Sequence, residues 1–475
     1  MLRDEFYWLG QINKATILIN KEIGLLKPDL VLTSARALSE VLDSGKDPAN
    51  RVKRVIDFEP KLIAAAKTAE VTEIHVGRSS QDMHSTFRAA IMRDNLFAVM
   101  QALESTIEKL IALAEHNQDT YMPSYTNGVA AQPTTFAHYL LGFIEGLLRD
   151  RSRLQEFYPR LNRCPMGACV LNGTGWPLDR NAMARYLGFD SPVRNAFDAT
   201  QICMVDLPVE FAQIQSSIAL HLGEMIADIM TQYAQPRPWI LLSEGNGNTY
   251  VSSAMPQKRN PGLLISCRGN ASDVVGEADA VITRAHNVPS GMIDGKSVKI
   301  HTALAEATEK LLARFNKIID ALVVNKVRAL EEINLDWTCS QEIADRLMRE
   351  YGLPFRVGHH VASGMVSYAR ANGILPLTFP YDEMTRLYAE VVSKEMPGFD
   401  TTCPMSEAEF KACLDPCEIL KNRRTSGSAN PTEVKHMLDE VSKELNEFKE
   451  KTVQLRTNVD QALQQLDSDF NILTK

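Results

Sequence analysis

The stretch LFAVMQALESTIEKLIALA, Leu96 to Ala114, decides the fold. Within it Leu96, Met100, Leu103, Ile107, Leu110 and Ala114 recur at steps of 4, 3, 4, 3 and 4, which lines their side chains along one face of an α-helix. The same spacing returns at Phe136, Leu140, Phe143, Leu147 and Leu154, and again at Phe211, Ile214, Ile218, Leu222, Met225 and Ile229. It returns once more at Leu304, Thr308, Leu311, Phe315, Ile318 and Leu322. A helix running there from Ser297 to Glu332 would be on the order of 50 Å long at 1.5 Å per residue. Alternating β-branched segments are few, and Arg237 to Leu242 reads as an isolated extended piece. The expected fold class is all-α, a long central helical bundle with shallow crossing angles. Stripes this long exceed what one chain's core requires, so packing against copies of the same chain is expected. A long monomeric bundle is the alternative.

Working outward, the first long helix breaks at Met122-Pro123-Ser124-Tyr125, and beyond Tyr351 glycines and prolines shorten the segments. These changes of texture give an N-terminal helical domain at 1–100, a central long-helix bundle at 101–350 and a C-terminal helical domain at 351–475. Pro431 to Leu473 reads as a charged amphipathic helix with a solvated face.

Composition narrows the function. The 475 residues are 45% hydrophobic and carry a net charge of −8 with basic residues scattered, so no surface is prepared for nucleic acid or anionic lipid. Eight cysteines without a C-x-x-C pair read as reduced thiols, and no paired histidine spacing makes them a metal site. No secretory signal opens the chain and no apolar run approaches a membrane helix, so the cytoplasm is the expected location.

Three polar islands could carry chemistry. In HVGRSSQDMHST, His75 to Thr86, Gly77 permits a tight turn and Arg78, Ser79, Ser80 and Gln81 stand at a helix N-terminus, a seat for a carboxylate. Equally, Ser79 or Ser80 there serves as an N-cap with Asp82 complementing the dipole. In SYTNGVAAQPTTF, Ser124 to Phe136, the neutral groups Thr126, Asn127 and Gln132 precede a helix start at Pro133-Thr134-Thr135. They suit a carboxylate or a leaving amine, or simply a capped turn. In VSSAMPQKRNPG, Val251 to Gly262, Ser252 and Ser253 lack any Ser-His-Asp order, but Lys258 is a cation in reach of the same loop. A surface loop is the plain alternative.

Together these islands resemble a family. VSSAMPQKRNPG is similar to the G-S-S-x-M-P-x-K-x-N-P loop of the fumarase/aspartase superfamily at seven of eight fixed positions, with Val251 in place of glycine. HVGRSSQD resembles its T-G-R-S-R-N-D segment, and SYTNGVAAQPTTFAHYL the G-Y-T-H-x-Q-x-A-Q-P segment of argininosuccinate lyases. GACVLNGTGWPLDR and EIADRLMREYGLPFRVGHHVA resemble further segments of that branch. The resemblance implies a helical homotetramer in which three subunits supply one active site, acting on a small dicarboxylate without cofactor or metal. It implies Ser252 as the base on a closing loop, Lys258 and Asn260 on the substrate carboxylate, and Arg78, Ser79 and Gln81 on the other carboxylate or the succinyl backbone. Thr126 belongs to the same shell.

Departures from the pattern bear on the substrate. Asn127, which cannot titrate, stands where argininosuccinate lyases place a histidine, and DFEP, Asp57 to Pro60, replaces an earlier D-x-H. His138, His84 and His286 are available but read as structural. VPSGMIDGKSVK, Val288 to Lys299, replaces the Y-N-R-D-x-Q-E-D-K run. The expected function is a carbon–nitrogen lyase that reversibly splits an N-substituted aspartate of the aminopolycarboxylic type into fumarate and an amine, as in ethylenediamine-disuccinate lyases. Argininosuccinate lyase proper and a catalytically silent structural relative are the alternatives.

Overall fold

The computed structural model describes residues 3–474. Helices α1 (Glu5–Glu22), α2 (Pro28–Ser44) and α3 (Val55–Ala66) lead into α4 (Ser80–Glu115), which is 36 residues long. Four more long helices follow: α5 (Phe136–Leu161), then, after the short α6 (Arg180–Tyr186), α7 (Cys203–Tyr233), α8 (Gly262–Ala285) and α9 (Val298–Ala321). Helices α4, α5, α7, α8 and α9 pack side by side as the central bundle. The stripe read from Leu96 to Ala114 is its seam, with Leu96, Leu103, Ile107, Leu110 and Ala114 fully buried, each buried leucine contributing about 1.5–3 kcal/mol. The all-α class holds.

Strands are short and local. β1 (Tyr121–Thr126) and β2 (Val129–Thr135) form a hairpin, and β3 (Arg163–Cys164) pairs with β4 (Ser191–Pro192) in parallel. β5 (Ile240–Leu242) pairs antiparallel with β8 (Leu322–Val324), and β6 (Tyr250–Val251) with β7 (Arg259–Asn260).

Two sequence expectations are corrected here. The helix expected from Ser297 to Glu332 stops at Ala321, because Leu322, Val323 and Val324 join β5, and Asn325 then caps α10 (Lys326–Asn334) by accepting from the Arg328 N–H at 3.0 Å. Branched valines favour the pleated ladder and asparagine the cap. For the same reason Arg237 to Leu242 is not isolated. The second correction concerns Ser124 to Phe136. This segment is not a loop running into a helix start at Pro133 but the hairpin, turned at Asn127 (φ 51°) and Gly128 (φ 77°), the left-handed pair that a two-residue turn demands. The helix begins at Phe136, capped by Thr135.

Helices α11 (Ser340–Tyr351), α12 (Phe355–Asn372), α13 (Tyr381–Glu395), α14 (Glu407–Leu414) and α15 (Pro416–Lys421) gather round a second apolar cluster running from Trp337 to Ile419. The last helix, α16 (Pro431–Ile472), returns to the first cluster and packs on α1, α4 and α5. Its anchor is polar: the buried Arg151 donates to Glu104 at 2.7 Å and to Thr452 at 2.6 Å, and Thr452 donates to Glu104 at 2.6 Å. The units 1–100, 101–350 and 351–475 divide the chain by texture, whereas the two apolar clusters cut it near 337 and 420 and return α16 to the bundle.

Candidate active site

The polar loop between α7 and α8 is a closed hairpin. Tyr250 pairs with Asn260 and Val251 with Arg259, and just inside this ladder the Ser252 N–H donates to the Lys258 carbonyl at 3.3 Å. Ser252 and Lys258 therefore face each other across the base of the loop. Ser252 Oγ accepts from the backbone N–H groups of Ala254 (3.4 Å) and Met255 (3.2 Å), and the Asn260 amide donates to the Tyr250 carbonyl at 3.3 Å. Two N–H dipoles aimed at one oxygen favour negative charge there. Helix α8 starts two residues beyond Asn260, adding its N-terminal dipole. Arg259 is spent on Glu244 (3.1 Å) and the Pro256 carbonyl (2.6 Å), while the exposed Lys258 ammonium has no acidic partner among the described residues.

At the head of α4, Ser79 is the N-cap. Its hydroxyl accepts from the Gln81 N–H at 3.1 Å, and Asp82 accepts from the Ser79 N–H at 2.9 Å, a capping box. The other oxygen of Asp82 accepts from Gly167 (3.1 Å) and Cys169 (3.0 Å), tying the 164–175 loop to this helix end. Arg78 is buried and reaches inward to Asn13 (2.9 Å) and Thr16 (3.1 Å) of α1; burial pushes its guanidinium down to about 10. Sequence reasoning did not single out Asn13 and Thr16. The signal was available, since Asn13, Thr16 and Asn20 lie at i, i+3 and i+7 and are buried polar residues on a helix that is otherwise apolar on that face.

Thr126 and Asn127 are exposed at the tip of the β1–β2 hairpin, which packs on α5, α10 and α15, and Gln132 donates to Gln341 at 2.7 Å. The structure thus gathers Ser252, Lys258 and Asn260 in one place, Arg78, Ser79 and Gln81 in a second, and Thr126 and Asn127 in a third. Among the described residues no hydrogen bond or ion pair joins any two of these places within the chain.

Of the three histidines singled out in the sequence, two are held by hydrogen bonds and one is exposed. His84 accepts from the Val55 N–H at the start of α3, His138 bonds Thr134 and the Gly427 carbonyl, both at 3.1 Å, and His286 is exposed at the end of α8. Asp57 is paired with Arg54 at 2.7 Å. Burial first, and then the charge of Arg88, hold His84 and His301 down at about 4. Both rings stay neutral in the folded chain while the unfolded chain protonates them near 6.5, so stability is full above 6.5 and falls as the pH drops toward 4. We expect the thermal midpoint to decline across that window and His301→Gln to flatten the decline. An unchanged slope in the variant would remove His301 as a source.

Comparison with known proteins places the chain among relatives in sequence and fold. A profile of the lyase family matches residues 36–276, and one for the argininosuccinate lyase C-terminal region matches residues 337–420, the span of the second apolar cluster. An argininosuccinate lyase of Methanocorpusculum labreanum is 31% identical over 380 residues, covering 80% of this chain and 74% of that protein. One from Halorhodospira halophila is 34% identical over 332 residues, covering 69% and 68%. A crystal structure of EDDS lyase in complex with formate superposes with a TM-score of 0.88 at 25% identity, covering 99% of this chain and 92% of that one. A class II fumarase from Schistosoma mansoni shares the fold at a TM-score of 0.64 and 16% identity, covering 82% of this chain and 91% of that one.

Proposed function

The chain belongs to the argininosuccinate lyase branch of the fumarase/aspartase superfamily and is a fumarate-releasing carbon–nitrogen lyase; from that premise we propose that it reversibly eliminates an amine from an N-substituted aspartate of the aminopolycarboxylic type, with Ser252 as general base. The observation that carries the reading is the Ser252–Lys258 hairpin. It holds in one loop a hydroxyl oxygen that accepts two N–H bonds and, across a main-chain hydrogen bond, a lysine whose ammonium has no acidic partner among the described residues.

In this reaction Ser252 takes the proton from the carbon next to one carboxylate, and charge builds on that carboxylate as an aci-carboxylate. Lys258 and Asn260 hold it, which is stabilisation of the oxyanion type. The carbon–nitrogen bond then breaks with its electron pair going to nitrogen, the carbon–carbon double bond of fumarate forms, and the amine leaves protonated at the expense of water. Arg78, Ser79 and Gln81 set the end of the site that takes the other carboxylate or the succinyl backbone. Thr126 and Asn127 supply neutral hydrogen bonds, and the proton that a histidine would deliver at position 127 is not available from asparagine.

We place the three groups of residues in one site by assembling a homotetramer in which three subunits contribute. Two features support this: among the described residues the groups are unlinked within one chain, and apolar side chains stand exposed on bundle helices, Leu220 at 61%, Ile265 at 40% and Ile282 at 36%. No helix among the described residues is long and apolar enough to cross a membrane, and the cytoplasm is the proposed location.

The test is to follow fumarate absorbance with a panel of N-substituted aspartates and, in reverse, with fumarate and a panel of amines. Turnover of an aminopolycarboxylate is expected. Turnover of argininosuccinate alone would make the chain an argininosuccinate lyase proper, and none in either direction would make it a silent relative.

A further inference from the structure

A cleft of about 490 Å³ lies between the β1–β2 hairpin, the first turns of α5, the last turns of α7 and the start of β5. Of the residues assigned to the elimination, only Asn127 lines it. Much of its apolar wall is aromatic: Tyr125 comes from the hairpin, Phe136 and Tyr139 from α5, and Trp239 from just ahead of β5. Phe136 stacks on Tyr139 with ring centres 5.9 Å apart and meets Trp239 edge-on at 5.4 Å, so these three rings form one continuous surface. Tyr125, 38% exposed, and the half-buried Tyr139 leave ring surface open.

The polar side of the cleft is rich in acceptors. Glu224, Asp228 and Gln232 recur at i, i+4 and i+8 and so share one stripe of α7, with Asp228 and Gln232 lining the cleft itself. Asp228 accepts from the Tyr139 hydroxyl at 2.8 Å through one oxygen, and neither it nor Glu224 makes an ion pair among the described residues. Burial first, and then the charge of Asp228, hold the Tyr139 hydroxyl above its ordinary range, which keeps it a donor. Gln232 is 9% exposed, and its carbonyl oxygen has no partner. Against these acceptors the lining sets one buried donor without a partner, the indole N–H of Trp239. None of the lining residues is basic, and Arg328, which acts on Tyr125 from nearby, is already paired with Glu332.

Aromatic rings beside an unpaired carboxylate favour a cation that also carries apolar surface. One carboxylate with an amide oxygen is too small a ligand set for a hard metal ion, which takes six or more oxygens. We infer that this cleft binds a small organic ammonium ion, its charge against Asp228 and Gln232 and its hydrocarbon body on Tyr125, Phe136, Tyr139 and Trp239.

A charged ligand and its neutral twin test this. Cyclohexylammonium and cyclohexanol are titrated by calorimetry at neutral pH into the full assembled protein and into its Asp228→Asn and Tyr125→Leu variants. We expect the ammonium ion to bind about 10–100-fold more tightly than the alcohol, as a charge-assisted bond predicts, and the preference to vanish in Asp228→Asn. That variant keeps an amide oxygen for the Tyr139 hydroxyl, so the link between α5 and α7 stands. Tyr125→Leu, which removes the ring from a partly exposed position, should weaken the ammonium ion about 2–5-fold and spare the alcohol. Equal affinities, a preference that survives Asp228→Asn, or displacement of cyclohexylammonium by an equal concentration of ammonium chloride would overturn the inference, as would the absence of saturable binding. Since no turnover is read, the result is independent of the elimination, and a ratio of two ligands on one protein keeps a loss of folding from passing as support.

Discussion

Replacing Ser252 with alanine is expected to lower kcat by about 10²–10⁴-fold, the contribution of a positioned general base, with little change in the melting temperature. The hydroxyl is half-buried in a surface hairpin, and its hydrogen bonds are the two it accepts from Ala254 and Met255. The hairpin itself is closed by main-chain bonds at Tyr250–Asn260 and Val251–Arg259, which alanine leaves intact. Steady-state fumarate release and a circular dichroism melt check both halves of this statement. Turnover within a factor of a few of the wild type would take Ser252 out of the base role. A large loss accompanied by a lower melting temperature would point to collapse of the loop and not to chemistry.

Lys258→Met should be nearly as damaging, about 10²–10³-fold in kcat, by analogy with the loss of one donor to a developing oxyanion. A charge that only positions the substrate would raise KM and spare kcat, whereas a charge that is needed as the carbanion forms lowers kcat as well. Because the ammonium is exposed and makes no ion pair among the described residues, its removal breaks no contact that folding is seen to use there. Kinetics on the purified variant decide between these outcomes. A rise in KM alone would reduce Lys258 to a binding residue and shift the stabilising role to Asn260 and the start of α8.

How much of this was legible beforehand depended on the distance over which each feature is encoded. The long helices announce themselves because every apolar residue of a seam repeats at helical spacing, and Ser252, Lys258 and Asn260 fall within one short loop. The end of α9 was hidden because Leu322 continues the stripe from Ile318 at the correct step, and only its pairing with the distant Leu242 reveals the strand. The hairpin carried a plain local signal in Asn127-Gly128, but its strands are short of alternating apolar residues, with Ala130 and Ala131 on one arm and Pro123 and Pro133 in the ladder. Arg78 shows a subtler case. Its place beside a cap is local, yet its direction, inward to Asn13 and Thr16, is set by a helix at the other end of the domain's sequence.

The return of α16 has a bearing on how the molecule is made. The helix that seals α1, α4 and α5 is far from them in sequence, and its lock through Thr452 joins Arg151 and Glu104 to a residue 301 and 348 positions away. Until α16 docks, the preceding helices therefore carry a guanidinium and a carboxylate without their threonine, together with a long apolar seam open to other chains. Removing α16 would leave the central helices permanently in that unfinished condition.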